Sequence, residues 1–249
     1  MQTRKCSIKQ PLIESLHAVV EASVYPDGVM EDRSGRIKGP GFFPGSTGIV
    51  DGVKELGLRR IMVLGQDQDN QKGHDKSEKE GHEQYSKMWS NMTALFGQAQ
   101  IDMGDCFFTN FIMGVRVKSK RNTGPSPALA HPEFMKACSA FFIEQLKAQR
   151  PTVILCLGMI PFKLLSLVST SLRFRSIGVE CFKDLEERER MLLVIDDVVF
   201  DALPGKRFVV VPLCHPSYRL NGESRSQPSG GHYASEVQLL QDVHGRYLS

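Results

Sequence analysis

The sequence has no C-x-x-C pair, although it holds six cysteines, at 6, 106, 138, 156, 181 and 214. Zinc and iron–sulfur sites rest on paired ligand spacing, so its lack argues against both. Most of these thiols lie in apolar stretches, which fits reduced, buried cysteines in a cytoplasmic protein. An apolar signal core is also lacking: residues 1–12 are polar. No apolar run approaches the length that spans a bilayer, so the expectation is a soluble, intracellular protein with no membrane partner. Charge of one sign is not in strong excess. The formal net charge of +3 permits nucleic acid as a partner without demanding it. Residues 39–48 (GPGFFPGSTG) are glycine-rich but lack the lysine and spacing of a phosphate-binding P-loop, and read as a turn before a helix beginning near Thr47. There is no internal repeat.

What is present is enough apolar material, 41% of 249 residues, to bury one sizeable core. Four short runs form its skeleton: 60–65 (RIMVLG), 106–112 (CFFTNFI), 152–158 (TVILCLG) and 207–213 (RFVVVPL). Each is nearly continuous in hydrophobicity, as expected of strands covered on both faces. Between them the spacing predicts helices. In 82–96 the residues Tyr85, Met88, Trp89, Met92, Leu95 and Phe96 recur at three- and four-residue steps. In 132–146, Phe134, Cys138, Phe141 and Phe142 share a stripe behind His131 and Pro132. A further helix is expected over 12–22. The charged stretch 71–81 (QKGHDKSEKEG) reads as a solvated loop or flap. Strands alternating with helices imply an α/β fold with a parallel sheet. The organisation expected is one domain, with 1–40 as an N-terminal extension and 41–249 as the core.

In such sheets ligands meet the loops that leave the carboxyl ends of the strands. After the first strand come Gln66, Asp67, Gln68, Asp69 and Asn70, and the second strand carries Asn110 near its end. The third ends at Gly158, and after the fourth come His215, Pro216 and Ser217. A carboxylate, an amide and a histidine are therefore expected at one sheet edge.

These residues carry a resemblance. Gly65, Gln66 and Asp67 after an apolar strand resemble the start of G-Q-D-P-Y-H, the first motif of the prototype uracil-DNA glycosylases. Phe107, Phe108, Thr109 and Asn110 resemble that superfamily's second-strand segment, which ends in a base-reading asparagine. Residues 152–158 resemble its third core strand. His215, Pro216 and Ser217 resemble the H-P-S that opens its DNA-intercalating loop. Gly231, His232 and Tyr233, then Leu239 and Leu240, are similar to the tail of the same region. The likeness runs in order over roughly 58–240. It implies a three-layer sandwich with a central, mainly parallel four-stranded sheet flanked by helices. It also implies a monofunctional glycosylase that flips a pyrimidine out of DNA, single- or double-stranded, and hydrolyses its bond to deoxyribose. That protein would act as a monomer without metal or cofactor.

The residue types suit this chemistry. Breaking an N-glycosidic bond builds positive charge on the sugar and negative charge on the departing base, largely at O2. By the resemblance, Asp67 stabilises the cation and orients water, and a neutral His215 donates to the O2 anion. Asn110 pairs with the polar edge of the flipped base. Gln66 supplies donors near O2. Asn70 is an auxiliary candidate for positioning water. Ser217 would contact a phosphate, and Arg219 and Leu220 would form the minor-groove wedge. Lys118, Lys120 and Arg121, with Arg225 further on, would supply basic contacts. Phe42, Phe43, Tyr85 and Phe111 are candidates for the aromatic that stacks on the base.

The departures are as informative. Gln68 and Asp69 stand where the prototypes have proline and the tyrosine that rejects a 5-methyl group. The smaller Asp69 is expected to leave room at C5, which favours a 5-substituted pyrimidine, as found in bacteriophage DNA, over strict use of uracil. Repair and host defence are both roles this would serve. Lys136, Ala137 and Cys138, with His215 to Tyr218, resemble an iron–sulfur branch, but its N-terminal cysteine pair is missing and Gly114 falls where a third ligand would. No cluster is expected. Two rival readings remain open. One is a DNA- or base-binding protein of this fold with weak or lost catalysis. The other is an unrelated doubly wound nucleotide-binding enzyme.

Overall fold

The computed structural model describes residues 10–31, 36–53, 57–117, 124–180, 184, 193–218 and 235–249. Among these the helices are α1 (Gln10–Ala22), α2 (Gln71–Glu80), α3 (Lys87–Gln98), α4 (Pro132–Gln149), α5 (Met159–Leu165), α6 (Thr170–Ser176) and α7 (Glu236–Val243). The strands are β1 (Val29–Glu31), β2 (Ile61–Gly65), β3 (Gln68–Asn70), β4 (Cys106–Asn110), β5 (Gly114–Arg116), β6 (Val153–Leu157), β7 (Ile195–Val198) and β8 (Phe208–Leu213). The fold is mixed α/β with a central, mostly parallel sheet flanked by helices. The four apolar runs are β2, β4, β6 and β8, and every residue of each is buried. Covering both faces leaves no place for polar alternation, which is why they read as continuous apolar stretches.

The chain divides into two compact units. The first comprises 1–59, 65–84 and 107–151. Its small sheet has the order β1-β5-β3, with β1 antiparallel and β3 parallel to β5. Aromatic rings fill its interior. Phe43 stacks on His17 at 5.1 Å and on Phe141 at 5.9 Å, and Phe111 packs on Phe142 at 5.1 Å. Each such ring contributes about 1.5–3 kcal/mol through burial. Thr109 Oγ1 donates to Gln145 Oε1 at 2.5 Å, satisfying a buried hydroxyl between β4 and α4.

Two expectations fail in this unit. The stretch 71–81 is a helix, not a loop. Asn70 Oδ1 caps α2 by accepting from the Gly73 N–H at 2.9 Å, and Gly81 ends it at φ 78°. Only His74 and Ser77 of α2 are buried, so the helix has no apolar stripe to betray it. No helix starts at Thr47 either. The Ser46 and Thr47 hydroxyls donate back to the Gly39 carbonyl, at 2.5 and 3.0 Å, and the chain then runs beside β4, with the Phe108 N–H donating to Gly48 O. Hydroxyls committed to a turn are not free to cap a helix.

The second unit comprises 60–64, 85–106 and 152–249. Its strands run in the order β2-β6-β8-β7, the first three parallel and β7 antiparallel to β8. The four-strand expectation omitted β7. Its sequence, IDDV, buries Ile195 and Val198 and exposes Asp196 and Asp197, a pattern too short and charged to register as a strand. Such charges also discourage further pairing at a sheet edge. Helix α3 begins at Lys87, five residues later than expected, where Ser86 Oγ accepts from the Trp89 N–H. Its buried face is Trp89, Met92, Leu95 and Phe96, so Tyr85 lies outside the helix.

Candidate active site

The site residues expected from sequence fall into two clusters, one in each unit. In the first, β2 ends at Gly65, where the backbone meets the Asn110 side chain. A Cβ at Gly65 would collide with Asn110 Oδ1, so only glycine admits the amide there. The neighbouring backbones are held in register by Phe111 N–H to Gly65 O (3.1 Å) and Ile112 N–H to Gln66 O (2.9 Å). Asn110 itself is buried at the end of β4. Phe42 Cε1 would lie 3.5 Å from the same added Cβ. The Phe42 backbone is gripped at both ends: its N–H donates to Glu83 Oε2 (2.9 Å) and its carbonyl accepts from Gln68 Nε2 (2.9 Å). Sequence reasoning named Phe42 only as one of four aromatics. Phe42, Phe43 and Phe111 are all buried, Phe42 with its ring edge-on to Phe108 at 5.7 Å, and Phe42 also shares Gly65 as a neighbour with Asn110.

Asp67 follows, and its carboxylate is engaged by Arg116. Arg116 Nε donates to Oδ2 at 2.7 Å and Nη2 to Oδ1 at 2.9 Å, with both side chains about 95% buried. Arg116 Nη2 also donates to the Gly124 carbonyl at 3.0 Å. Nothing in the motif pattern pointed to Arg116. The signal that was available is an arginine within the apolar stretch 106–117. Gln68, at the position of the prototype proline, is buried and serves the Phe42 carbonyl. Gln66 is half-buried, and its buried Nε2 donates to no acceptor among the described residues. Asn70 has a structural duty as the cap of α2, its Oδ1 accepting from the Gly73 N–H. The backbone of Asp69 lies in β3, but its side chain lies outside what the structure describes.

In the second cluster, β8 delivers Cys214 and His215. The Cys214 N–H donates to the buried carboxylate of Glu236 at the start of α7. His215 Nδ1 accepts from the Ser217 N–H at 3.2 Å. Because that donor is a backbone amide, Nδ1 carries the lone pair and the neutral ring's proton sits on Nε2. Burial lowers the His215 pKa from the ordinary histidine value, which favours this neutral form. The turn Pro216–Tyr218 is tied to α3, since Asn91 Nδ2 donates to Pro216 O at 2.8 Å, and Ser217 is exposed. Gly158 adopts φ 107° at the entry to α5, where a Cβ would lie 3.6 Å from His215 Cβ. Glu236 and Asn91 were not legible as site residues, being 22 and 125 residues from their partners.

The expected DNA contacts Lys118, Lys120, Arg121, Arg219, Leu220 and Arg225 lie outside the described residues, as do Gly231, His232 and Tyr233. Gly114 has a packing reason: a Cβ there would sit 2.5 Å from Val29 Cγ1 on β1. Burial pushes the Cys138 thiol up to about 12, so it stays protonated. His74, Asp75 and Glu78 on α2 bring potential ligand atoms within 4.8 Å of one another, but Glu78 already pairs with Arg36 at 3.3 Å. No helix of the described residues is long and apolar enough to cross a membrane.

No curated protein matches the chain. The family model described as the uracil DNA glycosylase superfamily matches residues 57–237, more than half of the sequence. That interval contains β2, β4, β6 and β8, together with Asp67, Asn110 and His215. The chain therefore belongs to the uracil-DNA glycosylase superfamily, whose general activity is hydrolysis of the bond between a base and its deoxyribose in DNA.

Proposed function

We propose that this protein is a monofunctional DNA glycosylase that flips out a pyrimidine, excises it and leaves an abasic site. The bond from C1′ to the base nitrogen breaks, and its electron pair leaves with the base. Water adds at C1′ and loses its proton to a carboxylate or solvent. Asp67 supplies negative charge beside the sugar and orients that water, with Asn70 as an auxiliary. His215 donates from Nε2 to the base O2 as it becomes anionic. Asn110 reads the polar edge of the base, Gln66 adds a donor near O2, and Phe42 is the aromatic this reading assigns to stacking. No lysine stands at the motif positions to form a Schiff base, which makes water the nucleophile.

The observation that carries the reading is the His215 ring. A neutral imidazole whose Nδ1 already accepts a backbone N–H has its remaining proton on Nε2, the state an oxyanion donor requires. At C5, Asp69 favours pyrimidines with a polar substituent, such as those of phage DNA, with uracil as the alternative substrate. Host defence then stands beside base-excision repair as the role. DNA contacts fall to Ser217, Arg219, Leu220, Lys118, Lys120 and Arg121.

One observation favours a second reading, a DNA- or base-binding protein with lost catalysis: the Asp67 charge is neutralised by Arg116. Mass spectrometry of bases released from uracil-containing and modified phage DNAs separates the two. Free base released by the wild-type chain supports the enzyme. DNA binding without any released base supports the binder.

A further inference from the structure

Arg116 contacts the proposed water-orienting group from outside every motif that suggested it. It lies on β5, and the pairing of β5 with β3 sets Arg116 opposite Asn70, three residues after Asp67. The three-stranded sheet therefore presents the guanidinium, while the end of β2 leads into the carboxylate. The contact is a two-point fork at 2.7 and 2.9 Å, and the Gly124 carbonyl holds the guanidinium from another direction. An ionised carboxylate has about four lone-pair sites. The fork engages both oxygens at once, so the carboxylate cannot turn without losing a contact. Arginine does not deprotonate in proteins, so the proton of an attacking water cannot pass to it.

Stability alone is a weak reason for such a pair. Burying two charges costs desolvation that their attraction only offsets, and an apolar pair of similar volume often serves as well. Orientation is a better account, because a forked pair fixes a planar carboxylate in a way a single contact cannot.

We infer that Arg116 is a positioning residue for base excision, holding the Asp67 carboxylate ionised and in one orientation relative to the water it directs. This rests on the proposed function, since it gives Asp67 work to do. The opposite assignment, Arg116 as a restraint that must release Asp67, reverses the sign of the effect.

The test uses the full chain with two probes, a uracil-containing duplex and a 5-hydroxymethylpyrimidine duplex. Single-turnover base release and the DNA Kd are measured for wild type, Asp67→Asn, Arg116→Lys, Arg116→Gln and the Asp67→Asn/Arg116→Gln double variant. Arg116→Lys keeps the charge and loses the fork, so base release should fall tenfold or more with the Kd within twofold. Arg116→Gln should be slower still. In the Asp67→Asn background, Arg116→Gln should cost at most twofold more, because the group it positions is already gone. Equal losses in the two backgrounds would mark Arg116 as merely structural and overturn the inference, as would an Arg116→Lys protein at or above the wild-type rate. If Arg116→Gln does not fold, Arg116→Lys decides alone. Full activity in Asp67→Asn removes the proposed role of Asp67 and this inference with it. No base release by wild type from either probe does the same. An inactive Asp67→Asn beside a fully active Arg116→Lys overturns only the role of Arg116.

Discussion

The two clusters fix their chemical groups by opposite means. In the first unit, Asp67 is a charge held by a countercharge, with nearly all of both side chains out of water. In the second, His215 is kept uncharged by burial, and its ring is oriented by one backbone N–H from two residues further on. The carboxylate depends on a partner 49 residues away and on the pairing of β3 with β5. The histidine depends on a local turn anchored by Asn91. A group needed as an ion is safest beside its counterion, and one needed as a neutral donor is safest where charging is disfavoured.

The largest effect should come from removing the ion. Asp67→Asn should lower the single-turnover rate of base release by a hundredfold or more, the order of about 3 kcal/mol typical of transition-state electrostatics. The variant also loses the countercharge of Arg116, which lowers its stability, so both assays are run where circular dichroism shows it folded. There its affinity for an uncleaved duplex should stay within about twofold by fluorescence anisotropy. Unchanged catalysis would reduce Asp67 to one half of a structural pair.

His215→Ala should have a smaller effect, on the order of tenfold to a hundredfold, and a larger one for bases that are poor leaving groups. The wild-type ring can be followed directly. An NMR titration should show the neutral Nε2–H tautomer persisting below the ordinary histidine pKa of about 6.5. The sign for stability follows from that lowered value. As pH falls below about 6.5 the unfolded chain takes up a proton that the folded chain refuses, so this residue's contribution is present above that range and is lost as pH falls through the folded-state pKa. A ring that titrates at or above the ordinary value would remove the distinction between the clusters.

Asp69→Tyr sharpens the comparison at the level of substrate. A ring at 69 should suppress excision of 5-substituted pyrimidines by about tenfold and spare uracil, a contrast of the size one poorly fitting group produces in a pocket. Paired assays on matched duplexes read it. Loss of uracil excision with unchanged removal of bulky bases would end the assignment of Asp69 to C5.

The smallest effect concerns Asn70. Asn70→Ala should lower stability by about 1 kcal/mol through loss of the α2 cap, while Asn70→Asp should keep the cap. Thermal unfolding measures both. If Asn70→Asp is stable yet slow in base release, the Nδ2 group assists with water.

The sequence makes the strands visible because β2, β4, β6 and β8 are buried on both faces and must be apolar throughout. It hides α2, whose caps and two small buried contacts leave no hydrophobic stripe, and β7, where Asp196 and Asp197 occupy half the strand. At the site, Asp67, Asn110 and His215 are legible because each follows or ends an apolar strand. Arg116 is not, because its meaning arises only when β5 is laid against β3. Asn91 and Glu236 are hidden for the same reason. They act through backbone groups of Pro216 and Cys214, and no local pattern encodes a partner so distant in the chain.

The fork between Arg116 and Asp67 also bears on how such a protein can decay over evolutionary time. Losing either member alone strands the other as a buried charge, which commonly costs about 3–5 kcal/mol, a large part of a domain's margin. Drift from enzyme to inert binder through this pair must then cross a poorly folded intermediate or change both positions together. Lineages that keep one residue should keep the other, and those that have abandoned the chemistry should have replaced them as a couple, with uncharged side chains of similar bulk.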